Sequence, residues 1–139
     1  MNRIKFDLTT IKYIPIFENV TRSHLKDCII GESSILFIVQ EGEASKAIGK
    51  NGQNAKTLER MMKKKIKIVE FSPEVKKFVS NLIYPLKVPE IEEKEDGLLL
   101  LKGADVSIKS MLIGRNASNL RNTESIAKRY FEIKEIKVV

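Results

Sequence analysis

The chain repeats itself, and this constrains its fold more than any other feature. When the sequence is shifted by 65 residues, Ile48-Gly49-Lys50-Asn51-Gly52-Gln53-Asn54 falls on Ile113-Gly114-Arg115-Asn116-Ala117-Ser118-Asn119. Between 48–71 and 113–136 there are eight identities in 24 positions, and three further pairs exchange Lys for Arg. No gap is needed. The 139 residues therefore read as one small unit built twice.

The boundary between the copies is legible. Ser72-Pro73-Glu74 has the features of a helix start: a hydroxyl cap, a proline at the first helical position and an acid in the first turn. The helix it predicts carries Val75, Phe78, Val79, Leu82 and Ile83 on one face and stops at Pro85. The expected units are 1–72 and 73–139.

Each unit reads in the same order. A helix is expected over about 8–20, with Leu8, Ile11, Ile14 and Phe17 as its apolar face and Pro15 as a point where it could kink or break. Strands are expected over 26–32 and 34–40, turning near Gly31-Glu32. Residues 35–39 are continuously apolar, as suits a buried central strand. A short helix over 43–48 and a longer one over 53–65, with Leu58, Met61 and Met62 inward, lead to a last strand at 66–71. The second unit is expected to follow with a helix from Pro73, strands near 86–95 and 97–103, helices near 105–113 and 116–129, and a strand at about 130–138. The fold class is α+β, with two α-β-β-α-α-β units.

The composition narrows the function. Hydrophobic residues at 42% and charged residues at 31% give a globular balance. A net charge of +7 favours an acidic partner, nucleic acid before an anionic membrane surface. The apolar runs are far shorter than the ~20 residues of a membrane span, and the first residues have no apolar signal-peptide core. One cysteine, Cys28, excludes an intrachain disulfide and fits a reducing, cytoplasmic setting. There is one histidine, His24, and no nucleophile elbow, Walker loop or dinucleotide fingerprint. His24 and Cys28 alone are too few for a zinc site. No enzyme activity, metal or cofactor is expected.

The chemistry concentrates at the repeated loop. Glycines at 49 and 52 permit a tight turn and close approach of another backbone. The helix that follows presents free amides and the positive end of its dipole, which favours phosphate. Lys50 adds a charge, and Lys56, Arg60, Lys63 and Lys64 continue a basic stripe along the helix. Asn51 and Asn116 lie inside the two loops, whereas Asn54 and Asn119 follow them as candidate buttresses. Ile48 and Ala55 read as core residues.

The loop, its helical flanks and the element order resemble a KH domain of type II. KH domains clamp four nucleotides of single-stranded nucleic acid with a G-x-x-G loop. The resemblance of this loop to that of a KH domain implies that Ile48 and Ala55 also border the groove on which bases lie. The chain further resembles the archaeal NusA-like transcription factors, which consist of little but two such domains. The residues that carry this are Asp27-Cys28-Ile29-Ile30, Ala47-Ile48-Gly49-Lys50-Asn51-Gly52, Val69-Glu70-Phe71-Ser72-Pro73 and Asn81-Leu82-Ile83-Tyr84-Pro85. The resemblance implies two tandem type II KH domains, each with a three-stranded sheet packed against helices. It also implies single-stranded RNA binding linked to transcription elongation or termination, in the company of RNA polymerase. Nothing in composition or periodicity carries the transcription role. Aromatic residues are only 6% of the chain, so base stacking is not the expected main mode.

The second loop, Gly114-Arg115-Asn116-Ala117, departs from the pattern by an alanine in place of the second glycine. With Arg121 it is expected to bind more weakly than the first. The second half is also less basic: residues 1–72 carry 13 basic and 8 acidic side chains, residues 73–139 carry 12 and 10. The acidic run Glu90, Glu92, Glu93, Glu95, Asp96 reads as a charged strand edge. A monomer is expected. Two alternatives stay open: a KH-fold module that docks on RNA polymerase, and a ribosome-assembly or RNA-processing factor.

Overall fold

A computed structural model describes residues 8–31 and 33–139. They divide into two compact units between Ser72 and Pro73. The first contains α1 (Leu8–Thr21), β1 (Leu25–Ile30), β2 (Ser34–Val39), α2 (Ala44–Ile48), α3 (Gln53–Met62) and β3 (Lys65–Glu70). The second contains α4 (Val75–Ile83), β4 (Glu90–Glu93), β5 (Leu98–Lys102), α5 (Val106–Ile113), α6 (Ser118–Ala127) and β6 (Glu135–Val138). Both follow the expected α-β-β-α-α-β order. Among the described residues no helix is long and apolar enough to cross a membrane.

Each unit has a three-stranded mixed sheet, ordered β1-β2-β3 and β4-β5-β6. The middle strand is antiparallel to the strand before it and parallel to the strand after it. A parallel neighbour requires a crossover, and the helix pair α2–α3 or α5–α6 supplies it. β2 is the buried central strand: Ile35, Phe37, Ile38 and Val39 are fully buried. Phe17 of α1 stacks on Phe37 with ring centroids 4.3 Å apart. Cys28, Ala47 and Leu58 complete that core. The second core joins Val79 and Ile83 of α4, Leu99 and Leu101 of β5, Leu112, Ala127, Ile133 and Ile136.

Several sequence expectations need correction. α1 runs through Pro15 unbroken. Pro15 and Ile11 lie on the exposed side, so the carbonyl that loses its partner there is open to water. The inward face of α1 is Tyr13, Ile16, Phe17 and Val20, not the stripe through Ile11 and Ile14. The side chain of Leu8 and the whole of Glu32 lie outside the described residues. In α3, Leu58 and Met62 face the core but Met61 is 55% exposed. Leu58 and Met62 are four apart and share a face, and Met61 is turned off it. The fourth helix begins at Val75, after Glu74 in an extended conformation. The N-cap position is therefore Glu74, and Ser72, two residues earlier, is buried at the end of the first unit.

The strand expected over 86–95 shrinks to Glu90–Glu93. Pro89, just before it, brings no amide to a ladder. Beyond it the chain turns at Glu95–Gly97, closed by the Lys94 amide on Leu98 O at 2.7 Å. The last strand begins only at Glu135. Residues 128–131 instead close α6, with the Arg129 amide donating to Ile126 O at 3.1 Å and the Phe131 amide to Ala127 O at 3.0 Å. Phe131 then packs against the core and against Phe78. The repeat is therefore not gapless. The Glu59 carboxylate accepts the amide of Ile66, seven residues on, whereas Glu124 accepts that of Ile136, twelve residues on. The second unit is five residues longer at this point. The identities Ile68/Ile133 and Glu70/Glu135 are thus not equivalent in space.

Candidate nucleic-acid interface

The loop between α2 and α3 is built by left-handed residues. Gly49 lies at φ 80°, ψ 171°, Asn51 at φ 57°, ψ 28° and Gly52 at φ 70°, ψ 18°. Two hydrogen bonds close it: the Gly49 amide donates to Ser45 O at 3.0 Å and the Gly52 amide to Gly49 O at 3.1 Å. No side chain caps α3, so its first turn presents amide donors and the positive dipole end toward the loop.

The loop between α5 and α6 repeats this geometry. Gly114 lies at φ 74°, ψ 178°, Asn116 at φ 56°, ψ 32° and Ala117 at φ 60°, ψ 22°. The Gly114 amide donates to Ser110 O at 2.9 Å and the Ala117 amide to Gly114 O at 3.2 Å. Ala117 holds the left-handed conformation that glycine holds in the first loop. It fits because a Cβ at Gly52 would meet nothing within 4 Å. The first glycine has no such latitude: its φ, ψ region is essentially restricted to glycine.

The left-handed backbone at Ala117 costs about 1–2 kcal/mol of strain. Ala117→Gly is therefore expected to stabilise the second unit by about 1 kcal/mol, read as a higher urea midpoint. An unchanged midpoint would show that the strain is absent.

The side chains around the first loop form an open depression of about 670 Å3, lined by Lys50, Asn51, Gln53, Lys56, Glu59 and Arg60. Residues 53, 56 and 60 follow i, i+3, i+7 spacing, which puts them on one helix face. Gln53 and Glu59 were not singled out from the sequence, although this spacing around Lys56 and Arg60 could have found them. Ile48, 38% exposed, and Ala55, half-buried, do not line the depression. Lys63 is exposed in a left-handed cap at the end of α3. Lys64 is tied elsewhere, its Nζ donating to Gly31 O at 3.2 Å. The basic stripe thus splits: Lys50, Lys56 and Arg60 converge, and Lys63 and Lys64 lie apart from them.

The second unit is blunter. Arg121, the counterpart of Lys56, has Nη1 3.6 Å from the buried Glu124 carboxylate, which also lies 3.6 Å from Lys128 Nζ. The counterpart of Arg60 is Ser125. Arg115 and Asn116 are exposed. The acidic run is partly neutralised across β4 and β5: Lys102 Nζ lies 2.8 Å from Glu90 and 3.2 Å from Glu92, and Lys94 lies 3.0 Å from Glu92. Hydrogen bonds from Lys94 and Lys102 hold the Glu92 carboxyl below its ordinary range. Among the described residues no cluster of three or more His, Cys, Asp or Glu could hold a metal ion.

Two mixed three-stranded sheets, each carrying a left-handed glycine loop between paired helices, define a tandem KH-domain protein. No family model matches the chain. It is 32% identical over 139 residues to a protein of Methanococcus vannielii named "Probable transcription termination protein NusA", covering 99% of this chain and 80% of that one. A protein of the same name from Methanocaldococcus jannaschii is 30% identical over 141 residues, covering 100% of this chain and 77% of that one. The crystal structure of APE1850 superposes with a TM-score of 0.75 at 26% identity, covering 96% of this chain and 100% of that one. The chain belongs to the archaeal NusA-like family.

Proposed function

We propose that this chain is a non-enzymatic single-stranded RNA-binding protein that modulates transcription elongation or termination. Residues 1–72 and 73–139 act as its two RNA-binding domains, in the cytoplasm, as a monomer, and in contact with RNA polymerase. The observation that carries the reading is the formed loop 49–52 beside a depression where Lys50, Lys56 and Arg60 converge. A glycine-lined turn at a helix start, next to three cations, suits the phosphates of a single strand. Loop 114–117 with Arg121 extends the footprint more weakly, since Glu124 draws Arg121 and the position of Arg60 is taken by Ser125. The names of the relatives support the transcription role.

The test is fluorescence anisotropy with short unstructured RNAs under a salt titration. Lys50→Asp/Asn51→Asp is expected to weaken binding strongly and to flatten the log–log salt slope by about 0.7 for each phosphate that is no longer neutralised. Arg115→Asp/Asn116→Asp is expected to do less. A wild type that responds to neither change would overturn the RNA reading and favour a protein-docking role.

A further inference from the structure

We infer that Asn54 and Asn119 are positioning residues that lock the two loops in the shape that grips a phosphate. Each follows its loop by two positions and makes the same two contacts. Asn54 Nδ2 donates to Lys46 O at 3.1 Å, and Asn119 Nδ2 donates to Met111 O at 3.0 Å. These carbonyls belong to the last turns of α2 and α5, where intrahelical donors have run out. One side chain thus ties the end of one helix to the start of the next, across the loop.

The same amide lies over the first loop glycine. A Cβ on Gly49 would stand 2.9 Å from Asn54 Cγ and Nδ2, and one on Gly114 would stand 2.6 Å from the same atoms of Asn119. Glycine and asparagine therefore form a matched pair in both units. An aspartate of the same shape could not take its place, because a carboxylate has no proton to donate to a carbonyl. The pair survives where the second glycine does not: loop 114–117 keeps its shape with Ala117 in place.

Three of the four residues in each loop have positive φ. Glycine takes it freely, but Asn51, Asn116 and Ala117 are not glycines and hold it only where the surroundings impose it. Apparent affinity falls with the fraction of molecules in the competent shape. The consequence for RNA rests on the proposed function, whereas the locking itself does not.

The experiment pairs two readouts on Asn54→Ala and Asn54→Asp. The first is amide hydrogen exchange at Gly49 and Gly52 without RNA. The second is RNA affinity with its salt slope. Both variants are expected to speed exchange at the loop more than in β2. For Asn54→Ala, RNA affinity is expected to fall about tenfold if the competent fraction drops to about a tenth, with the salt slope unchanged because no cation is removed. In an Asn54→Ala background, Gly49→Ala should lower the urea midpoint less than it does in the wild type. Weaker RNA binding with unchanged loop exchange would make Asn54 a direct RNA contact and overturn the inference. A uniform rise in exchange across the first unit would make it an ordinary stability residue, with the same consequence. If the wild type binds no RNA, the exchange and double-variant results still decide whether the loop is locked.

Discussion

Gly49→Ala is expected to destabilise the first unit by about 2–4 kcal/mol and to remove RNA binding through its loop. Two costs add. At φ 80° and ψ 171° the residue occupies a region essentially closed to side chains, at a cost of about 1–3 kcal/mol. The new Cβ also stands 2.9 Å from Asn54 and 3.2 Å from its backbone nitrogen. Asn54 can yield only by giving up its bond to Lys46 O, worth about 1 kcal/mol. Gly52→Ala is the internal control. Its Cβ would meet nothing within 4 Å, and its left-handed conformation is the one Ala117 already adopts. Urea denaturation should therefore rank Gly49→Ala well below Gly52→Ala. Equal midpoints for the two would mean that the first glycine is not under the constraint its geometry describes.

Phe37→Ala is expected to cost about 3–5 kcal/mol, a large share of the stability of so small a unit. Phe37 is fully buried in the middle strand and stacked on Phe17 at 4.3 Å. Its core also contains Ala47 of α2 and Leu58 of α3, the two helices that carry the loop. Loss of the ring leaves a cavity under both, so RNA affinity should fall together with stability although Phe37 is buried and can touch no RNA itself. Urea denaturation followed by hydrogen exchange at β2 amides would measure it. A loss below about 1 kcal/mol would mean that neighbouring side chains close the cavity.

Much of this was legible from residues that interact with near neighbours. The apolar run at 35–39 announced the buried middle strand, and the structure puts β2 there between two partners. The loop glycines announced a tight turn, and Gly49, Gly52 and Gly114 all take positive φ. Other features escaped because spacing does not say which side of an element meets the core. Of the expected stripe through Ile11, Ile14 and Phe17, Phe17 enters the core around β2, but its companions there are Tyr13, Ile16 and Val20, and Ile11 is exposed. Lys64 continues the basic run in sequence, yet the end of α3 turns it to Gly31 O. The alanine at 117 reads in the sequence as a departure that weakens the second loop, and the spacing alone does not say that the backbone keeps the loop's geometry and the alanine carries the strain.

What the sequence determined by itself is what short-range sterics and periodicity encode: two copies of one unit, their element order, and a tight turn at the repeated loop. That the first loop glycine is the constrained one came from the backbone angles at 49 and 114. Only the tertiary structure decided which residues meet across distance. The bonds from Asn54 and Asn119 to carbonyls eight residues back are of this kind. So is the delayed entry of β6, held by Glu124 on Ile136, where the apparent repeat slips out of register. A ladder pairs wherever the packed helices deliver the strand. The longer connection after α6 moves the alternating segment five residues on, so that Ile136 pairs with Leu99 as Ile66 pairs with Ile35.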